Sequence, residues 1–243
     1  MKFKLTVIFL LVLIFGANAQ SVTYDNTSYG DDIRTVILQK AISIYDPLPL
    51  IALGSSEKLR LSFDILSPNN EFFNYTYIHC DRNWQESSLQ QMEYISGKLM
   101  GDIVDFKFST NTYQRFTHYA LNFPEKDMEI TKSGNYILKI YRNFDLEDVV
   151  LTRRFMVLDR HTSISTNIRS ATDPEYRFTH QEVDFSVNYE GFTIPNPFLD
   201  VNVTVLQNNS WNNAIYNLKP LFVNNNELSF NYEDKNLFPG TNE

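Results

Sequence analysis

A single cysteine, Cys80, among 243 residues excludes a disulfide within the chain. A chain of this length needs none, because it can bury about 70% of its unfolded surface on folding. Glycine and proline are sparse, at 8 and 9 residues, which excludes collagen-like and low-complexity repeats. Disorder is excluded by 43% hydrophobic and 14% aromatic residues. Basic residues are outnumbered, 21 Lys and Arg against 29 Asp and Glu, which argues against phosphate-backbone binding and makes nucleic acid an unexpected partner. Catalytic signatures are missing as well. There is no phosphate-cradling glycine loop and no Gly-Xaa-Ser-Xaa-Gly elbow. The four histidines, His79, His118, His161 and His180, fall in separate segments, none at the i, i+4 spacing of a helical zinc motif. His79, Cys80 and Asp81 are adjacent, but neighbouring strand residues point to opposite faces and cannot share one ion. The carboxylates Glu57, Asp64, Glu93, Asp105, Glu182 and Asp184 are dispersed and read as solvated strand faces. No enzyme activity, metal, cofactor or small-molecule substrate is expected.

Long apolar runs are confined to the N-terminus. Lys2 and Lys4 precede an apolar run from Leu5 to Phe15, and Ala17-Asn18-Ala19 follows with small residues at the two positions a signal peptidase reads. Residues 1–19 therefore predict a secretory signal cleaved between Ala19 and Gln20. The run is about half the roughly 20 residues a membrane span requires, and with no second such run the mature chain is expected to have no transmembrane segment of its own. No cysteine follows the run, so a lipid anchor is not expected. Four Asn-Xaa-Ser/Thr triplets, beginning at Asn26, Asn74, Asn202 and Asn208, read as chance in an Asn-rich sequence.

The body of the chain reads as strands. Leu59, Leu61, Phe63 and Ile65 alternate with Arg60, Ser62 and Asp64, placing the apolar set on one face of a pleated strand. The same period of two recurs at Tyr119, Leu121 and Phe123, at Val183, Phe185, Val187 and Tyr189, and at Val201, Val203 and Val205. Aromatic or β-branched runs at 75–78, 136–141 and 155–158 are further strands bounded by turn residues. Many short strands with almost no helical periodicity point to an all-β fold of tandem immunoglobulin-like or fibronectin-like β-sandwiches. Residues 20–32 read as an N-terminal extension, 33–158 as a first sandwich, 159–163 as a polar linker and 164–243 as a second sandwich. With four or five strands, the second is either small or incomplete. Residues 134–158 read as a hairpin turning at 143–148. Tyr136 at its start is either a corner tyrosine, its hydroxyl bonded to backbone, or an ordinary core tyrosine. Residues 87–97 are either a helical turn or a crossover loop. Cys80, ending an aromatic strand, is expected to be buried and unreactive. Trp84 and Trp211 are the one feature favouring a sugar-stacking platform, and hence a glycan-binding module of the cell envelope.

Six ordered segments carry a family resemblance: 79–84 (HCDRNW), 93–97 (EYISG), 117–124 (THYALNFP), 131–136 (TKSGNY), 151–155 (LTRRF) and 179–185 (THQEVDF). From Ile33 to its end the chain closely resembles the type IX secretion system plug protein family, whose members are usually longer. The resemblance implies a non-enzymatic periplasmic protein, peripherally associated with the outer membrane, that closes the periplasmic mouth of the translocon barrel when no cargo passes. Its expected partner is that barrel. The motif positions His79, Cys80, Asp81, Asn83, Trp84, Tyr94, His118, Tyr119, Gly134, Tyr136, Arg153, Arg154, His180 and Glu182 are expected to be structural or interface residues.

Overall fold

The computed structural model describes residues 22–42 and 48–240. The expected signal segment, with Ala19 and Gln20, lies outside the described residues. The first unit contains β1 (Thr27–Ser28), β2 (Ile33–Lys40), β3 (Leu50–Ala52), β4 (Leu59–Ile65), β5 (Phe73–Cys80), the one-turn helix α1 (Gln91–Tyr94), β6 (Ile95–Gly97), β7 (Gly101–Ile103), β8 (Asp105–Phe108), β9 (Thr117–Phe123), β10 (Met128–Ile130), β11 (Gly134–Arg142) and β12 (Val149–Leu158). One sheet runs β1-β12-β11-β5-β7, with β3 added to β12 in parallel, and the other runs β2-β4-β9-β8. β6 and β10 form a separate pair.

The alternation along β4 explains how these sheets meet. Leu59, Leu61, Phe63 and Ile65 are fully buried, whereas Arg60, Ser62 and Asp64 reach the outer surface. Facing them, β5, β11 and β12 send in Phe73, Tyr75, Tyr77, Tyr136, Leu138 and Phe155. Rings interlock across the gap: Phe63 meets Phe73 edge-on at 5.5 Å, Tyr77 meets Phe123 at 5.8 Å, and Phe123 meets Phe155 at 5.2 Å. Such pairs each add about 0.5–1.5 kcal/mol beyond the area they bury. Two sheets with one aromatic core between them make a β-sandwich. The segment 87–97 resolves into α1 followed by β6, and the Gln90 N–H donates to Glu93 Oε2 at 2.7 Å to cap the turn. Residues 22–32 do more than extend the chain, since β1 pairs with β12 at Thr27–Thr152 and Ser28–Leu151.

The second unit contains β13 (Ser163–Ser170), β14 (His180–Asn188), the short helix α2 (Pro197–Asp200), β15 (Val203–Gln207), β16 (Ser210–Leu218), β17 (Phe222–Asn224), β18 (Glu227–Ser229) and β19 (Leu237–Pro239). One sheet runs β13-β14-β18-β17 with β19 also on β14, and β15 and β16 form a hairpin. Between them lie Phe185, Tyr189, Leu218, Leu228 and Phe230, with Phe185 stacked on Phe230 at 4.7 Å. Seven strands thus stand where the sequence pattern indicated four or five. Val201 closes α2 and does not begin a strand, because Pro197 favours the first helical position and the Asn196 N–H finds Asp200 Oδ2 at 2.9 Å. Among the described residues, no strand of 27–158 pairs with one of 163–239.

The reading of Glu182 and Asp184 as solvated is corrected. Both are buried and share Arg169, which donates through Nη2 to Glu182 at 2.6 Å and through Nε to Asp184 at 2.9 Å. The Thr172 N–H adds a bond to Glu182 at 2.7 Å. Burial by itself would raise the Glu182 carboxyl, but the Thr172 donor and the Arg169 charge outweigh it and hold it below the usual carboxylate range.

Candidate functional site

Most motif residues of the first unit gather at two neighbouring places on β5. On the inner face, the imidazole of His79 is fixed from every side. Its Nδ1 lies 2.8 Å from Ser87 Oγ and its Nε2 lies 3.3 Å from the Ser133 carbonyl. Tyr136 meets the ring edge-on at 5.0 Å and Tyr94 lies at 5.6 Å. Gly134 has φ +147°, and a Cβ there would come within 2.6 Å of His79 Nε2, so only glycine lets β11 start beside this ring. Tyr94 donates its hydroxyl to the Tyr77 carbonyl at 3.2 Å, which ties α1 to β5. The Tyr136 hydroxyl donates to the Lys132 carbonyl at 2.8 Å while its ring stacks on Phe155 at 5.3 Å, the geometry of a corner tyrosine.

On the outer face, Cys80 and Ile137 pack with Trp84 in a small separate cluster. Cys80 is therefore buried, though on the side of β5 opposite Tyr75 and Tyr77 and outside the main core. The loop that carries Trp84 is shaped by Asp81, whose Oδ1 accepts from the N–H groups of Asn83 and Gln85 at 2.8 and 2.9 Å. Trp84 itself has φ +61°, a left-handed conformation that a bulky side chain seldom adopts. Its ring is claimed twice. The Arg154 guanidinium lies over it at 4.6 Å, and Trp211 of the second unit meets it edge-on at 5.6 Å.

Arg153 and Arg154 also clasp the N-terminal segment. Arg154 Nε donates to the Tyr24 carbonyl at 2.9 Å, and its N–H donates to Asn26 Oδ1 at 2.8 Å. Arg153 donates to the Thr27 carbonyl at 2.8 Å and to Ser28 Oγ at 3.1 Å. Burial lowers the Arg153 guanidinium from its ordinary value. A cleft of about 380 Å³ opens beside this clasp, lined by Leu38, Trp84, Arg154, Met156, Asn209 and Trp211.

The remaining motif positions lie elsewhere. His118 sits on the outer face of the second sheet with Nδ1 2.6 Å from Asp64 Oδ1, opposite it across β4 and β9. Tyr119 is in the core, where its hydroxyl accepts the Glu71 N–H at 2.8 Å. His180 and Glu182 belong to the second unit, His180 edge-on to Tyr176 at 4.8 Å. Among the described residues, no group of three or more His, Cys, Asp or Glu is placed to hold a metal ion. The meeting of Trp84 with Trp211 and the Arg153–Arg154 clasp were beyond the sequence reading. A local signal for the clasp existed only in the unusual Arg153-Arg154 pair on a strand.

What gathers at these two places is packing, capping and clasping chemistry. Residues 33–159 match the sequence profile of the type 9 secretion system plug protein 1st domain. No curated protein matches the chain. Among solved structures, the chain is similar to a hypothetical protein from Parabacteroides merdae, with a TM-score of 0.86 and 30% identity over 92% of this chain and 56% of that one. The chain thus spans just over half the length of that solved relative. No helix of the described residues is long and apolar enough to cross a membrane. With the profile covering more than half of its length, and with the two-sheet aromatic sandwich built on those same residues, the chain belongs to the type IX secretion system plug protein family.

Proposed function

We propose that this protein is a non-enzymatic periplasmic component of the type IX secretion system that occupies the periplasmic opening of the outer-membrane translocon barrel. The observation that carries the reading is the match of residues 33–159 to the plug family's first domain. The physics of the fold supports it. Closing a wide aqueous barrel without chemical work calls for a rigid body with a large, wet, reversible interface, and an interlocked aromatic sandwich is such a body. The units are proposed as 33–158 and 164–243 with 159–163 between them. Deleting the protein should leave the barrel assembled but open, so that a large polar dye normally excluded enters the cell. Deleting the barrel as well should abolish that leak. Unchanged permeability in the single deletion, with no barrel recovered in a crosslinking pull-down, would overturn the reading.

The meeting of Trp84 and Trp211 beside a cleft favours a second reading, glycan binding at the cell envelope. Sugar stacking needs an open ring face, however, and Trp84 is only 5% exposed beneath Arg154. Titration with envelope polysaccharide while following tryptophan fluorescence separates the two, since only the glycan reading expects saturable quenching.

A further inference from the structure

One corner of the first unit, where the chain enters β5 and the β11–β12 hairpin turns, presents four apolar side chains to solvent. Phe72 is 71% exposed, Val104 80%, Phe144 65% and Leu146 46%. Chain connectivity and pairing bring them to one corner. The Asn143 N–H donates to the Phe72 carbonyl at 3.1 Å, which sets the hairpin turn carrying Phe144 and Leu146 beside Phe72, and Val104 follows directly on Ile103, the partner of Phe73 in the β5–β7 pair. Apolar residues scattered singly on a surface need no explanation, but a contiguous group marks a contact.

The hairpin holds Phe144 outward at a cost. The Asp145 N–H donates to the Arg142 carbonyl at 2.8 Å, closing a turn whose central residues, Asn143 and Phe144, have φ of +50° and +62°. Asparagine and glycine suit such a turn, and a bulky aromatic does not. The strained backbone is supported from beneath by the buried amide of Asn74, whose Oδ1 accepts the Phe144 N–H at 2.8 Å and whose Nδ2 donates to Asp102 at 2.6 Å. A ring kept at a tip in an unfavourable conformation, contributing nothing to the core, is explained by what it touches outside the chain.

Acidic side chains outnumber basic ones around the tip. Glu71, Asp145, Glu147 and Asp148 surround it. Arg142 is taken up within the corner, 2.8 Å from Glu71, 3.3 Å from Asp148 and 3.6 Å from Asp32. Lys139, which feels the charges of Glu147 and Asp145, is itself buried.

We propose that this corner is a docking surface that inserts Phe144, flanked by Phe72, Val104 and Leu146, into an apolar pocket rimmed by Lys and Arg on a protein partner. The acidic border meets the basic rim and sets the salt dependence, while the rings supply the desolvated centre. The inference rests on the plug reading only for the identity of the partner, the translocon barrel, and not for its chemistry.

A photo-reactive phenylalanine analogue at position 144 of the full chain, irradiated in intact outer membranes, tests it. The same analogue at Lys126, at the opposite end of β9, is the control. Position 144 should crosslink to the barrel at a peptide with apolar residues flanked by Lys or Arg, and position 126 should not. Raising salt from about 0.05 to about 0.5 M before irradiation should cut the yield at least about tenfold, as screening of a charged rim requires. The variant Phe144→Asn, whose side chain tolerates the turn, should keep its melting temperature yet recover at least about tenfold less partner. Crosslinking at 144 to a protein other than the barrel, with the same loss in Phe144→Asn, supports the corner and defeats the plug reading. Barrel crosslinked from 126 but not from 144, or undiminished recovery by Phe144→Asn, overturns the corner and leaves the plug reading standing.

Discussion

Cys80 shows how much a single side chain owes to its surroundings. Burial pushes its thiol up to about 12, the charges of Glu86 and Asp81 add to the rise, and Arg154 opposes it. The thiolate is the reactive form, so native labelling at neutral pH should be at least about 100-fold slower than labelling in denaturant. Fast stoichiometric reaction of the folded protein would show the outer cluster to be open. Burial likewise raises the phenols of Tyr75, Tyr77 and Tyr136. For all of these groups the folded state holds its proton to higher pH than the unfolded chain does. Their contribution to stability is complete below the unfolded values, about 8.5 for Cys and 10 for Tyr, and is lost as pH rises through the folded ones. The urea midpoint should therefore fall between pH 8 and pH 11, and a constant midpoint would count against this account. The burial of Cys80 was legible from the aromatic strand it ends. Its cationic neighbour was not, because Arg154 comes from a strand 74 positions further along and leaves no local mark.

Among the elements, long strands with one buried face announced themselves. β4 alternates so regularly that the pattern identifies both the strand and its inner face, and Tyr119, Leu121 and Phe123 do the same for β9 despite the buried Ala120 between them. β17, β18 and β19 are three residues each, too short for any periodicity, and only their pairing partners define them. β1, shorter still at two residues, depends on Arg153 and Arg154 to remain in place. Arg154→Ala removes the donor to Tyr24 and the cation over Trp84. Amide exchange at Thr27 and Ser28 should then accelerate by about 10- to 100-fold, the effect of losing roughly 1.5–3 kcal/mol of charge-assisted bonding, while β4 and β9 stay protected. Equal loss of protection throughout the unit would mean that the clasp belongs to the global fold. In the candidate site, the motif residues 79–84 and 131–136 were legible as a group, and so was the division of His79 and Cys80 between opposite faces, but not which face meets the main core. That division follows from the alternation of His79 and Cys80 along a strand buried on both sides.

At the scale of the molecule, the two units touch through Trp84 and Trp211, and His161 of the connecting stretch stacks on Phe192 at 5.4 Å. Residues 159–162 precede β13 and are exposed, with His161 also 2.9 Å from Asp159. Limited proteolysis should cut there first and release a folded fragment ending near Leu158, with Trp84 emission shifted to the red as Trp211 departs. Insolubility of that fragment would instead make the two units one folding body. The clasp has a consequence in time as well as in space. A chain delivered N-terminus first presents Thr27 and Tyr24 long before the arginines that hold them, which follow 126 and 130 residues later. Until then β1 has no partner, and the unit cannot fasten its own beginning. The last strand of the first unit then ties the first one down, so that this unit is fastened only once its own final strand has been delivered.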